Sequence, residues 1–287
     1  MMKKKVLMYM SKSDVDYWQS RINYSYKKNS VLVQKELKRL YKEQADLIVK
    51  EITNLYYNMI GDGGITTTNL YKYGRYKEML KEIKNVLEYT EDLEIKEMTK
   101  VLEQTYIAVL GNPSDMQGKQ IVWNLRNDEA IMEVINTSFK GADFKTRIKR
   151  NKRQFLKILK KEVVNAVAGT RALDEVVKVL MVKNGISLRE ADRLARTEVM
   201  RVANTAYIDS AKERGYTKGY YIYTKDNKIC EECERIGKET KNKPIPLNEL
   251  KRNPIHHPNC RCVIQVVTSG KTLKEINAEN KNRVNRI

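Results

Sequence analysis

HHPNCRC, residues 256–262, places two histidines and two cysteines in seven positions of a chain that has no other histidine. Such side chains gather around a metal, a disulfide or a reactive thiol, so the rest of the cluster decides how the C-terminal part folds. It lies upstream in ICEEC (229–233), where two residues separate Cys230 from Cys233. The chain returns through PIPLNELKRNPIHHP (244–258) to present His257, Cys260 and Cys262. Two ligand-bearing turns joined by a loop form the layout of a structural zinc site, since tetrahedral Zn²⁺ takes four soft or borderline donors at about 2.0–2.3 Å. With His256 counted, more donors than four compete. The spacing favours Cys230 and Cys233 plus two of His257, Cys260 and Cys262, and leaves the choice among those three open. An all-cysteine set makes His257 an outer group that orients a ligand, and Pro258 stiffens the turn in either case.

Four cysteines in 287 residues are too few for a disulfide scaffold, and their clustering points to a metal held in a reducing cytoplasm. A cysteine-rich shell fills all four positions, so the zinc is expected to be structural, not catalytic. It substitutes for core in a small module with few apolar residues of its own.

Outward from the cluster, the chain is organised by helical periodicity. The length suits about two folded units. Leu37, Leu40, Tyr41, Leu47, Ile48, Ile52, Leu55, Tyr56 and Met59 recur mostly at steps of three and four, which predicts one long amphipathic helix broken at GDGGITTTN (61–69). Further helical segments follow through Met79–Leu87 and Leu93–Tyr106, with a stop at GNP (111–113), then over 117–138, 144–168 and 171–183. A separate helix is expected from Ser187 to Arg214, opened by a capping box of Ser187 with Glu190 and ended by Gly215. GYYIYT (219–224) and CVIQVV (262–267) read as two strands bracketing the loop that carries the cysteines. Asp226 is expected to tighten the turn into Cys230.

The fold class is therefore mainly α: a long helical N-terminal region, 1–185, followed by a small α+β module, 186–267, with a zinc-clamped β-hairpin, and a polar tail, 268–287. No apolar run approaches the roughly 18–20 residues needed to span a bilayer, and the N-terminus lacks the pattern of a cleaved leader.

Three strings in this order, LARTEVMRVANTAY (194–207), YTKDNKICEEC (223–233) and HPNCRC (257–262), resemble the signature of the Mu F-like phage minor head, or head morphogenesis, proteins. DYWQSRI (16–22), LYYNMIG (55–61) and GITTTN (64–69) are similar to the helical region of Gram-positive phage members, so the resemblance extends over most of the chain while the C-terminal strings carry nearly all its specificity. It implies a minor capsid protein present in a few copies inside the virion, bound to the portal, with roles in head assembly and in DNA packaging or ejection. Some relatives continue into a toxin or other enzymatic domain. Here about twenty residues follow CVIQVV, too few for a further fold.

Lys and Arg number 55 against 36 acids, a net charge of +19 that suits polyanionic surroundings. The segment KGADFKTRIKRNKRQFLKILKK (140–161) concentrates ten basic residues against one acid. Lys145, Arg147, Lys149, Arg150, Lys152 and Arg153 are candidates to contact DNA phosphates without reading sequence, or an acidic partner. Arg196, Thr197 and Glu198 are candidates for a polar clamp that fixes their helix to the zinc module or the portal, with solvated helical charges as the plain alternative. No Gly-rich phosphate loop, GxSxG elbow or HExxH occurs, and both histidines sit in the metal cluster, so no enzymatic activity is expected. A thiolate beside His257 would be nucleophilic, but a metal-bound sulfur is not free to react. The competing reading is a zinc-containing nucleic-acid-binding protein.

Overall fold

The computed structural model describes residues 12–110, 127–169, 171–213, 216–223 and 229–267, with side-chain surroundings from residue 27 onward. The expected stops at GNP and Gly215, the turn at Asp226 and the tail lie outside the described residues.

The described chain is mainly helical, with a small antiparallel sheet towards its C-terminal end. The helices are α1 (Lys12–Gly61), α2 (Thr67–Tyr71), α3 (Arg75–Leu110), α4 (Asp128–Asn136), α5 (Phe144–Ala168) and α6 (Leu173–Glu213). Strand β1 (Lys218–Ile222) follows, then α7 (Glu231–Asn242), β2 (Ile245–Pro246), α8 (Leu247–Arg252) and β3 (Val263–Val266). Packing gathers them into two units, one drawn from 28–104 and 135–199 and the other from 1–27, 105–134 and 200–287.

The first unit is a helical bundle. Ile48, Ile52, Leu55 and Met59 on α1 keep the step of three and four that makes one apolar stripe, and they share a core with Ile83 on α3 and Leu159 on α5. Burying each such side chain stabilises the fold by about 1.5–3 kcal/mol. Helix α5 covers the expected span, and Asp143 caps it by accepting the Thr146 N–H at 2.7 Å.

A buried polar layer crosses this bundle. Gln44 on α1 accepts from Thr90 on α3 (3.0 Å) and Lys152 on α5 (2.8 Å), and donates to Asn184 on α6 (2.7 Å). Lys152 also faces Glu94 on α3 at 3.1 Å and lies 4.2 Å from the centre of the Tyr41 ring. Asn184 returns a hydrogen bond to the Tyr41 carbonyl at 2.8 Å. This layer accounts for a departure from the sequence expectation: α6 runs unbroken through Gly185 and Ser187, where a helix start was expected. A glycine inside a helix costs only about 1 kcal/mol, and the tie from Asn184 to α1 offsets that. Ser187 is buried mid-helix rather than serving as a cap.

The second unit contains the sheet, in the order β2-β1-β3. Strands β1 and β3 pair antiparallel, Gly219 opposite Val266 through Ile222 opposite Val263, as the sequence suggests. The expected two-stranded hairpin is corrected in two respects. A third strand, β2, pairs with the other edge of β1 through Lys218 opposite Pro246, and the intervening segment folds into α7 and α8 rather than a loop. Pro246 is tolerated because β2 is an edge. Helix α7 seats on β1 at Gly237, where a Cβ would come 2.4 Å from the Tyr223 ring, and Thr240 Oγ1 accepts the Tyr221 N–H at 3.1 Å.

Candidate metal centre

The cysteines meet where α7 begins. Cys230 is the N-cap of that helix, its Sγ accepting the Cys233 N–H at 3.4 Å, so the two-residue gap becomes one tight turn with both sulfurs on the same side. The second turn, His257 to Cys260, closes through the Cys260 N–H donating to the His257 carbonyl at 3.1 Å, with Asn259 in the left-handed region at φ 61°. Asparagine is among the few side chains that take this conformation readily.

His257 Nε2 stands 3.2 Å from Cys230 Sγ and 3.1 Å from Cys233 Sγ, and Cys233 Sγ is 3.8 Å from Cys260 Sγ. A tetrahedral ion with ligands at about 2.0–2.3 Å sets donor-to-donor edges of roughly 3.3–3.8 Å, so these spacings fit one metal within a few tenths of an ångström. The donors form two overlapping groups, Cys230, Cys233 and His257, and Cys233, Cys260 and Cys262, each with its ligand atoms within 4.8 Å of one another. Cys233 belongs to both, and either group could hold a metal ion. The second ring nitrogen of His257 fixes the tautomer: Nδ1 is 2.8 Å from the Pro258 carbonyl, a partner that needs an N–H, which leaves Nε2 with its lone pair towards the sulfurs. All four cysteines are free thiols.

The electrostatics are those of crowded sulfurs. The Cys262 thiol donates towards Cys260 and draws its pKa down to about 5, while that same hydrogen bond pushes Cys262 up. Burial first, and the Cys260 charge second, push Cys233 up to about 12. Burial also opposes ionisation of Cys230, but the Cys233 N–H and His257 outweigh it and lower its pKa. One thiolate is thus formed at its neighbours' expense, and a divalent cation is the group that would let several ionise together.

The surroundings hold the cluster against α6. Tyr221 on β1 packs edge-on against His256, ring centres 4.3 Å apart, and its hydroxyl donates to the Asn253 carbonyl. Asn204, fully buried on α6, donates to the carbonyls of Pro254 at 2.8 Å and Cys262 at 2.9 Å. The sequence reading did not single it out. Its signal was an asparagine in the middle of an alanine-rich helix, where it costs propensity and caps nothing. Of the trio named as a clamp, Arg196 pairs with Asp192 and Thr197 donates to the Arg193 carbonyl at 2.7 Å, both within α6, and Glu198 is buried.

The basic segment divides sharply. Lys149, Arg150, Arg153, Lys157, Lys160 and Lys161 are exposed on α5, and none forms an ion pair among the described residues. Some exposed cations elsewhere pair along their own helix, as Lys84 with Glu88 and Arg235 with Glu239 do. Lys152 does not join that face, being 3% exposed and turned into the bundle. Arg147 donates to the Phe139 carbonyl and so braces the turn before α5, and Lys145 lies over the Phe144 ring.

Residues 157–265 match the family model described as phage Mu protein F like protein. The match takes in the end of α5, all of α6 and nearly the whole sheet module, and it bears out the resemblance read from the C-terminal strings. The N-terminal strings lie outside it. No curated protein and no solved structure matches the chain.

Proposed function

From the Mu F-like character of residues 157–265, we propose that this chain is a structural minor head protein of a phage, held inside the virion by the portal and the capsid interior. The observation that carries the reading is that the matched segment contains the cysteine and histidine turns whose donor atoms converge; an ion bound there would make of them the rigid tab that a docking protein needs. In this reading a structural Zn²⁺ takes Cys230, Cys233, His257 and Cys260, two turns of identical spacing, and Cys262 remains a neighbouring thiol. The ion would supply charge neutralisation and a crosslink between turns distant in sequence, with no reaction step. Residues 186–267 act as the docking module, 1–185 as a helical region and 268–287 as a tail. The role is assembly, packaging or ejection rather than catalysis.

The exposed cations of α5 support contact with packaged DNA. Phosphate contacts of this kind give salt-dependent affinity without base reading. Among the described residues no helix is long and apolar enough to cross a membrane. The test is co-expression with the portal protein of the same genome, followed by purification through a tag on the portal. A stable complex is expected. A folded chain that never co-purifies with an assembled portal, yet binds chosen DNA sequences tightly, would instead support the zinc-containing nucleic-acid-binding reading.

A further inference from the structure

We propose that Asn204 is a positioning residue for the metal centre, resting on the reading of that centre as a zinc site. The segment 254–262 leaves the short helix α8, turns through His257 and Asn259 and enters β3. Its two ends are held by a single side chain: the Asn204 amide gives one N–H to the Pro254 carbonyl at 2.8 Å and the other to the Cys262 carbonyl at 2.9 Å. Both partners are carbonyl oxygens, so the NH₂ group must face them and the amide orientation is fixed. The carbonyl of the same amide, Oδ1, is buried and has no hydrogen-bond partner among the described residues. Both donors of the residue are engaged by this one segment. What it holds is the closed loop between those two carbonyls, which carries His257 and Cys260.

The neighbouring contacts show why the loop needs such a pin. His257 reaches Cys230 and Cys233 from a turn whose internal tie is the Cys260 N–H to the His257 carbonyl. Asn204 fixes both flanks of the loop to α6, and Tyr221 supports the same segment through the Asn253 carbonyl and the His256 ring. A group one step removed from a metal ligand acts on affinity and on ligand-field geometry, and its loss leaves the ligands themselves in place.

The experiment compares the full chain with Asn204→Leu, which keeps the volume and removes both donors, and Asn204→Ser, which retains one. Zinc affinity is read by competition with a chromophoric chelator, and geometry by the ligand-field bands after Co²⁺ substitution. The leucine variant is expected to bind zinc about 10–100-fold more weakly. Its cobalt bands should shift, its thiolate charge-transfer intensity should persist, and serine should recover part of the loss. Wild-type affinity with unshifted bands in Asn204→Leu overturns the positioning role and leaves the zinc reading standing. Absence of zinc binding by the unaltered chain overturns both. Collapse of overall helicity in both variants makes Asn204 a folding residue and also overturns the proposal.

Discussion

The Lys152–Glu94 pair offers the sharpest energetic test of the helical unit. Lys152 is 3% exposed and Glu94 1%, so both charges have left water. Replacing Glu94 with leucine leaves the ammonium facing the Gln44 carbonyl and the Tyr41 ring, with no ion-pair partner among the described residues. Breaking a buried pair in this way costs about 3–5 kcal/mol. Lys152→Met leaves the opposite charge, but burial already holds the Glu94 carboxyl above its ordinary pKa, and without Lys152 it rises further. The sign follows: an acid with a raised folded pKa contributes stability that is fully present below its unfolded value and lost as pH rises through the folded one. The methionine variant should therefore be closest to wild type in mild acid and fall away towards neutrality. Lys152→Met with Glu94→Leu removes both charges and should land within about 2 kcal/mol of wild type, since apolar replacement of a buried pair is often neutral or stabilising. The coupling energy is then roughly 3 kcal/mol or more. Two units make global melting ambiguous, so the assay is native-state hydrogen exchange at the amides of 41–44, 90–94 and 150–155. Single variants whose effects simply add up in the double variant would refute a shared buried charge pair.

Cys233 belongs to both donor groups, so Cys233→Ser should release bound zinc and remove exchange protection from 218–222 and 263–266, while amides of α1 and α3 keep theirs; full metal retention in that variant would contradict the ligand assignment. Lys149→Glu, Arg153→Glu and Lys157→Glu together should weaken binding to random-sequence DNA and lower the magnitude of the log–log salt slope by up to about 0.9 for each phosphate no longer neutralised, as measured by fluorescence anisotropy across salt. Asp143→Ala should cost about 1 kcal/mol at neutral pH through the removal of the cap. The Thr146 N–H holds the Asp143 carboxyl below its usual pKa, so this difference is present above the ordinary Asp range and should shrink as pH falls through the depressed value, which urea titrations at pH 7 and pH 2.5 would show.

The parts of this fold that sequence reveals are those governed by period or by donor chemistry. The stripe of Ile48, Ile52, Leu55 and Met59 has one solution as a helix face, and two turns with paired donors have few uses other than a metal. Tertiary context decided the rest. Strand β2 is two residues long, and no propensity marks Ile245–Pro246 until α8 sets it beside β1. The break expected before Ser187 is overruled by Asn184, whose partners on α1 lie more than a hundred residues away. Lys152 could have been told apart from its basic neighbours: it sits four residues after Ile148 and three before Phe155, in register with the buried stripe of α5. Within α6, charges one turn apart satisfy one another locally, as Arg196 and Asp192 do. A neutral amide among alanines is free to reach a distant backbone, and Asn204 does.

The central claim is that one divalent ion pins the turn at Cys230–Cys233 to the turn at His257–Cys260. The direct measurement is native mass spectrometry of the chain purified without added metal, paired with hydrogen exchange before and after chelation. One zinc per chain is expected, with chelation stripping the ion and the protection of the sheet together. A metal-free chain, or one with Cys233 and Cys260 joined as a disulfide, in which β1 and β3 remain fully protected, would contradict the account.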